Sequence, residues 1–97
     1  MTTLNAVTIT VTQEHIDKGR RESMMRSPIA LAVLDAVPGA TAASEYHDAV
    51  AISLRGRPGS IECALPTEAQ AFATGFDAGN EPDPITFTLQ IPDEAAS

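Results

Sequence analysis

The chain contains a single cysteine, Cys63, among 97 residues. One thiol excludes an internal disulfide framework and any multi-cysteine zinc or iron–sulfur centre, so neither a metal nor another cofactor is expected. Long apolar runs are also missing. The longest, Ile29 to Leu34, stops at Asp35, well short of the about 20 predominantly apolar residues that a membrane-crossing helix needs. The stretch MTTLNAVTITVTQEH has no basic region and alternates valine with threonine, which does not fit a secretory signal and makes the cytoplasm the expected location. Lysine and arginine are absent after position 57. Lys18, Arg20, Arg21, Arg26, Arg55 and Arg57 are balanced by six acids in the first 57 positions, whereas the last forty carry seven acids and no base. With a net charge of −7, direct binding to a phosphate backbone is disfavoured and a protein partner with a basic patch fits better.

An apolar fraction of 43 % and a charged fraction of 20 % are those of a folding chain, and the length suits one domain with one modest core. One domain over 1–97 is expected, ordered from about 5 to 92, with 93–97 as a tail. Ala6 to Thr12 alternates Val7, Ile9 and Val11 against Thr8, Thr10 and Thr12, the period-two pattern of a half-buried strand. Thr12 then stands as the N-cap of a short helix that carries Ile16 inward and stops at Gly19. Ser27 and Pro28 form a helix-start pair, and the helix from Pro28 to about Ala36 has no broad polar face, so it belongs at the centre of the core. Val37 to Ala40 ends it.

A weaker strand is expected at Thr41 to Tyr46, then a hairpin in which Val50, Ile52 and Leu54 precede RGRPG and Ile61, Cys63 and Leu65 follow it. Thr67 and Gln70 have capping-box spacing ahead of Ala69, Phe72, Ala73 and Phe76, with Gly79 as the stop. Ile85, Phe87, Leu89 and Ile91 alternate in a final strand. The expected fold class is α+β, a largely antiparallel sheet of four to five strands packed on two main helices in the order β-α-α-β-β-(β)-α-β. A threonine-rich face would point to solvent or a partner.

Residues able to carry chemistry are few. His15 stands beside Glu14 and Asp17 on the short polar helix, and His47 lies in EYHD; both read as surface imidazoles. Cys63 alternates in phase with Ile61 and Leu65 and therefore reads as core, not as a nucleophile. No G-x-S-x-G elbow is present, and RGRPGS lacks the ending of a phosphate loop. The turn DAGNEPDP has the composition of a calcium loop, but Gly79 falls where an oxygen ligand is wanted, so it reads as a helix cap and turn. No enzyme activity is expected.

The segment ahead of Pro28 is more suggestive. Arg20, Arg21 and Arg26 with Met24 and Met25 combine the two residue types enriched at protein interfaces, although a solvated loop with methionines folded over the next helix would look the same. Three functions follow from different surfaces. An interaction protein, in a form that includes a homodimer, would use the Arg20 to Arg26 loop or the acidic surface around Glu81 and Asp83. An acidic mimic of nucleic acid would use Glu62, Glu68, Asp77, Glu81 and Asp83. A small-ligand binder would receive a phosphate on Arg55 and Arg57.

Across most of its length the chain resembles a group of small uncharacterised proteins from actinobacteria and their phages. The resemblance is carried by His15, Ile16 and Gly19, by Pro28, Ile29, Ala30, Leu31 and Ala32, and by Phe76, Asp77, Gly79, Pro84, Phe87, Leu89, Ile91 and Pro92. It departs before Pro28, where a cysteine often stands and this chain has Ser27, so no redox or metal role attached to that cysteine carries over. The resemblance implies a phage or prophage origin, the host cytoplasm as the place of action, a host or phage protein as partner, and no assigned activity.

Overall fold

The computed structural model describes residues 3–93; of the expected 93–97 tail, Asp93 is the end of the last strand and 94–97 lie outside the described residues. The elements are β1 (Thr3–Val11), α1 (Gln13–Lys18), α2 (Pro28–Ala36), β2 (Ala40–Glu45), β3 (Ala49–Leu54), β4 (Ile61–Ala64), α3 (Thr67–Asp77) and β5 (Ile85–Asp93). The fold is α+β in the expected order. β1 begins three residues before Ala6 and ends at Val11, Thr12 serving as the cap of α1, and β5 runs past Ile91 to Asp93.

The two alternating end segments pair antiparallel with each other, Ile9 opposite Phe87 and Thr10 opposite Thr86. Their inward residues Ile9, Val11, Phe87, Leu89 and Ile91 are buried, and Thr8, Thr10, Thr86 and Thr88 are exposed, with Thr8 directly opposite Thr88. Period-two side-chain direction alone produces this division. The hairpin and the weaker strand form a second antiparallel sheet in the order β2-β3-β4. A single sheet of four to five strands therefore becomes two sheets: β4 and β5 run beside each other without pairing. β4 ends after four residues, just before Leu65 and Pro66, too short to serve as a ladder for nine-residue β5.

The helix without a polar face joins the two sheets. α2 packs against β1 of one and β2 of the other, and α1 and α3 both pack against it. Ile29, Ala30 and Val33 are fully buried, while Leu31 and Leu34 are only half-buried. Each fully buried isoleucine or leucine contributes about 1.5–3 kcal/mol relative to an exposed one.

Helix ends follow the sequence at two places and depart from it at one. Ser27 caps α2, its Oγ accepting from Ala30 N–H at 3.2 Å. Thr12 caps α1, and the capping box is completed by His15. The box expected of Thr67 and Gln70 does not form. Pro66, with φ fixed at −61° and an extended ψ, is the N-cap of α3, so Thr67 is already helical; the Gln70 side chain instead donates to Leu65 O at 2.9 Å.

Candidate functional site

The segment between Gly19 and Ser27 has no regular secondary structure, yet both of its sides are fixed. Arg20 N–H donates to Arg26 O at 2.8 Å and closes the loop. Arg21 Nε donates to Phe76 O at 3.1 Å, and its guanidinium lies 5.3 Å from the centre of the Phe76 ring, a cation–π arrangement. Glu22 has a left-handed backbone, φ 58°, uncommon for a side chain with a β-carbon; its N–H is held by Asp77 Oδ1 at 2.9 Å. On the other side, Glu45 N–H donates to Met24 O at 2.7 Å. The loop is thus pinned to the end of α3 and to the last residue of β2.

Pinning decides what each interface candidate can do. Arg21 is engaged inside the chain. Arg20 and Arg26 are exposed, and so are Met24 at 54 % and Met25 at 55 %. The alternative in which both methionines fold back over α2 is not what the chain does. With Tyr46 at 44 %, they are the exposed large apolar side chains among the described residues. All three cluster around the Met24–Glu45 hydrogen bond, and they open onto two different clefts. Met25 lines one with Leu31, Leu34, Ala42 and Ala43, between α2 and β2. Met24 and Tyr46 line another with Glu22, Glu45, His47 and Asp77, between the loop, β2 and α3.

Glu45 is the residue that sequence reading passed over. It is 9 % exposed and alternates in phase with buried Ala43 on β2. Burial raises its pKa above the ordinary carboxylate value, the Ser27 hydroxyl partly offsets this by hydrogen bonding to the charged form, and the nearby Asp77 charge raises it further. An acid on the inward phase of a strand was the available signal. Tyr46 was likewise missed, because a lone aromatic at a strand end has no pattern.

Glu62, Glu68, Asp77, Glu81 and Asp83 do not line one common cleft. Glu81 and Asp83 line a third cleft with Asp17 and Arg21, near the end of α3; Asp77 faces the Met24 cleft; Glu62 on β4 and Glu68 on the first turn of α3 are exposed and line neither. Gly79, at φ 94°, closes α3 by donating to Phe76 O at 3.1 Å, so DAGNEPDP begins as a helix cap. Arg55 and Arg57 line none of these three clefts. Their backbones are structural: Arg55 N–H ties the hairpin to Gly39 O at 2.8 Å.

Of the three candidates for acid–base or nucleophilic work, His15 and Cys63 are engaged structurally. The His15 side chain is only 12 % exposed, which corrects its reading as a surface imidazole. Nδ1 accepts from Thr12 N–H at 3.0 Å, which leaves the proton on Nε2, and Nε2 contacts Asp35 Oδ2 of α2 at 2.5 Å. His47 is exposed, as expected. Cys63 is 1 % exposed, and burial, with the Glu62 charge adding to it, pushes its thiol up, away from the reactive thiolate.

Comparison with known proteins returned no match to a family model, a curated protein or a solved structure.

Proposed function

We propose that the chain is a non-enzymatic interaction protein, of phage or prophage origin, that binds and modulates a host or phage protein in the bacterial cytoplasm. The observation that carries this is the position of Met24 and Met25, exposed on a loop tied by hydrogen bonds to β2 and α3, with exposed Tyr46 directly after Glu45, the β2 residue that holds the loop. Large apolar side chains cost solvation when left in water, and methionine adapts its shape to a partner. A loop already fixed in the free protein loses little entropy on binding. Arg26 lines the Met25 cleft, and exposed Arg20 is joined to it by a backbone hydrogen bond, so both offer polar groups beside the methionines. Affinity recovery of tagged protein from host lysate tests the proposal: one dominant partner retained in high salt is expected, and an empty recovery by folded protein would overturn it.

A second function is favoured by the cleft in which Asp17, Glu81 and Asp83 stand together. These carboxylates would occupy the basic groove of a nucleic-acid-binding protein. Loss of the partner at moderate salt would select this mode over apolar docking, because exposed charge pairs are screened within about 10 Å at 0.1 M salt.

A further inference from the structure

We propose that the cleft between the 19–27 loop, β2 and α3 receives an arginine side chain of the protein partner, with its guanidinium against Glu45 and Asp77 and its methylene stem between Met24 and Tyr46. This rests on the proposed interaction function and names the chemistry of the partner.

The cleft measures about 370 Å³, within the range of about 300–1,000 Å³ in which small ligands are held. Glu22, Glu45 and Asp77 all line it, and no lysine or arginine does. Glu45 is nine-tenths buried and lines the cavity wall. The polar group that offsets its charge is a neutral hydroxyl, that of Ser27, and its charged neighbour is another acid, Asp77. A buried carboxylate is normally matched by a cation; here no lysine or arginine among the described residues lines the cleft, and the opening leads to solvent. Asp77 already accepts the Glu22 N–H with Oδ1, so its carboxylate is oriented before anything binds.

The apolar rim selects among cations. Among the described residues no three His, Cys, Asp or Glu side chains stand together as metal ligands, and a hard divalent cation gains little from a thioether, whereas arginine carries an apolar stem behind a planar fork of donors suited to two carboxylates. Exposed Met24 and Tyr46 flank the same opening, so stem and head are both accounted for. Complementary charge also fits the chain as a whole, with its net charge of −7.

The test is an amide NMR titration of the full chain with n-butylguanidinium chloride, with sodium pentanoate and butanol as controls at equal ionic strength. Saturable shifts are expected at Met24, Glu45, Tyr46, Thr74 and Asp77 for the guanidinium only, weakened roughly fivefold or more in Glu45→Gln. Asp77→Asn, which keeps the acceptor for Glu22 N–H, should weaken binding in the same direction. Absence of saturable shifts, or equal shifts with pentanoate, would overturn the cleft proposal and leave the interaction function standing if a captured partner still binds. Guanidinium binding by a chain that captures no protein would overturn the protein source of the arginine. A captured partner whose binding is unaffected by Glu45→Gln would overturn the site.

Discussion

His15 joins two helices: its Nδ1 accepts the Thr12 N–H that opens α1, while its Nε2 reaches Asp35 of α2. Removing the ring takes away half of a capping box and the bridge together. His15→Ala is expected to lower stability by about 1–2 kcal/mol in chemical denaturation. His47→Ala, at an exposed position, should stay within about 0.5 kcal/mol of the parent. Equal effects of the two would contradict the structural role of His15.

Gly19 is required for space and not for its backbone. Its φ of −68° and ψ of 152° suit any residue, but a β-carbon there would stand 2.6 Å from Pro28 Cδ and Cγ and 2.9 Å from Pro28 N. Pro28 is buried at the start of α2, so neither ring nor backbone yields easily. Gly19→Ala should cost about 1–3 kcal/mol and shift the amide resonances of both helix ends. A neutral substitution would contradict the close approach.

Glu45 gives the pH dependence a sign. Its folded-state pKa is raised, so between the ordinary value of about 4.5 and that raised value the folded state binds more protons than the unfolded one. Its contribution to stability is therefore greatest at low pH and declines as pH rises through this window. Glu45→Gln should remove that decline and make the protein more stable than the parent at neutral pH. Parallel stability profiles of the two proteins from pH 4 to 8, measured by thermal unfolding, would refute it.

Much of the fold was legible because β1, β4 and β5 each bury one face and expose the other. Ile9, Val11, Phe87 and Leu89 are where alternation places them, and Ser27 caps α2 as its position before Pro28 requires. The division into two sheets was not legible, because alternation specifies which face is buried and not which strand is neighbour. The α1 box was half visible: Thr12 has the chemistry of a cap, but its reciprocal partner is a histidine where glutamate or glutamine is usual. The methionine and arginine loop stood out by composition. Its rigidity did not, since it depends on Asp77 and Phe76, 55 residues away from the groups they hold.

Arg21 illustrates the consequence. Reversing it to glutamate would break the hydrogen bond to Phe76 O and the ring contact, so loss of a partner would report disturbed structure. Arg21→Ala should cost about 1 kcal/mol in denaturation, whereas Arg20→Ala should be nearly neutral and serve as the charge probe. A larger loss for Arg20→Ala would reverse these roles.

The most direct test of the interaction surface is the affinity of the captured partner for the parent chain and for the double substitution Met24→Ser, Met25→Ser, measured by calorimetry at low and high salt. Both methionines are exposed, so the variant should fold as the parent does. Binding weakened about tenfold or more at both salt concentrations is the expected result. Unchanged affinity in a folded double variant would contradict the assignment of the loop as the binding surface.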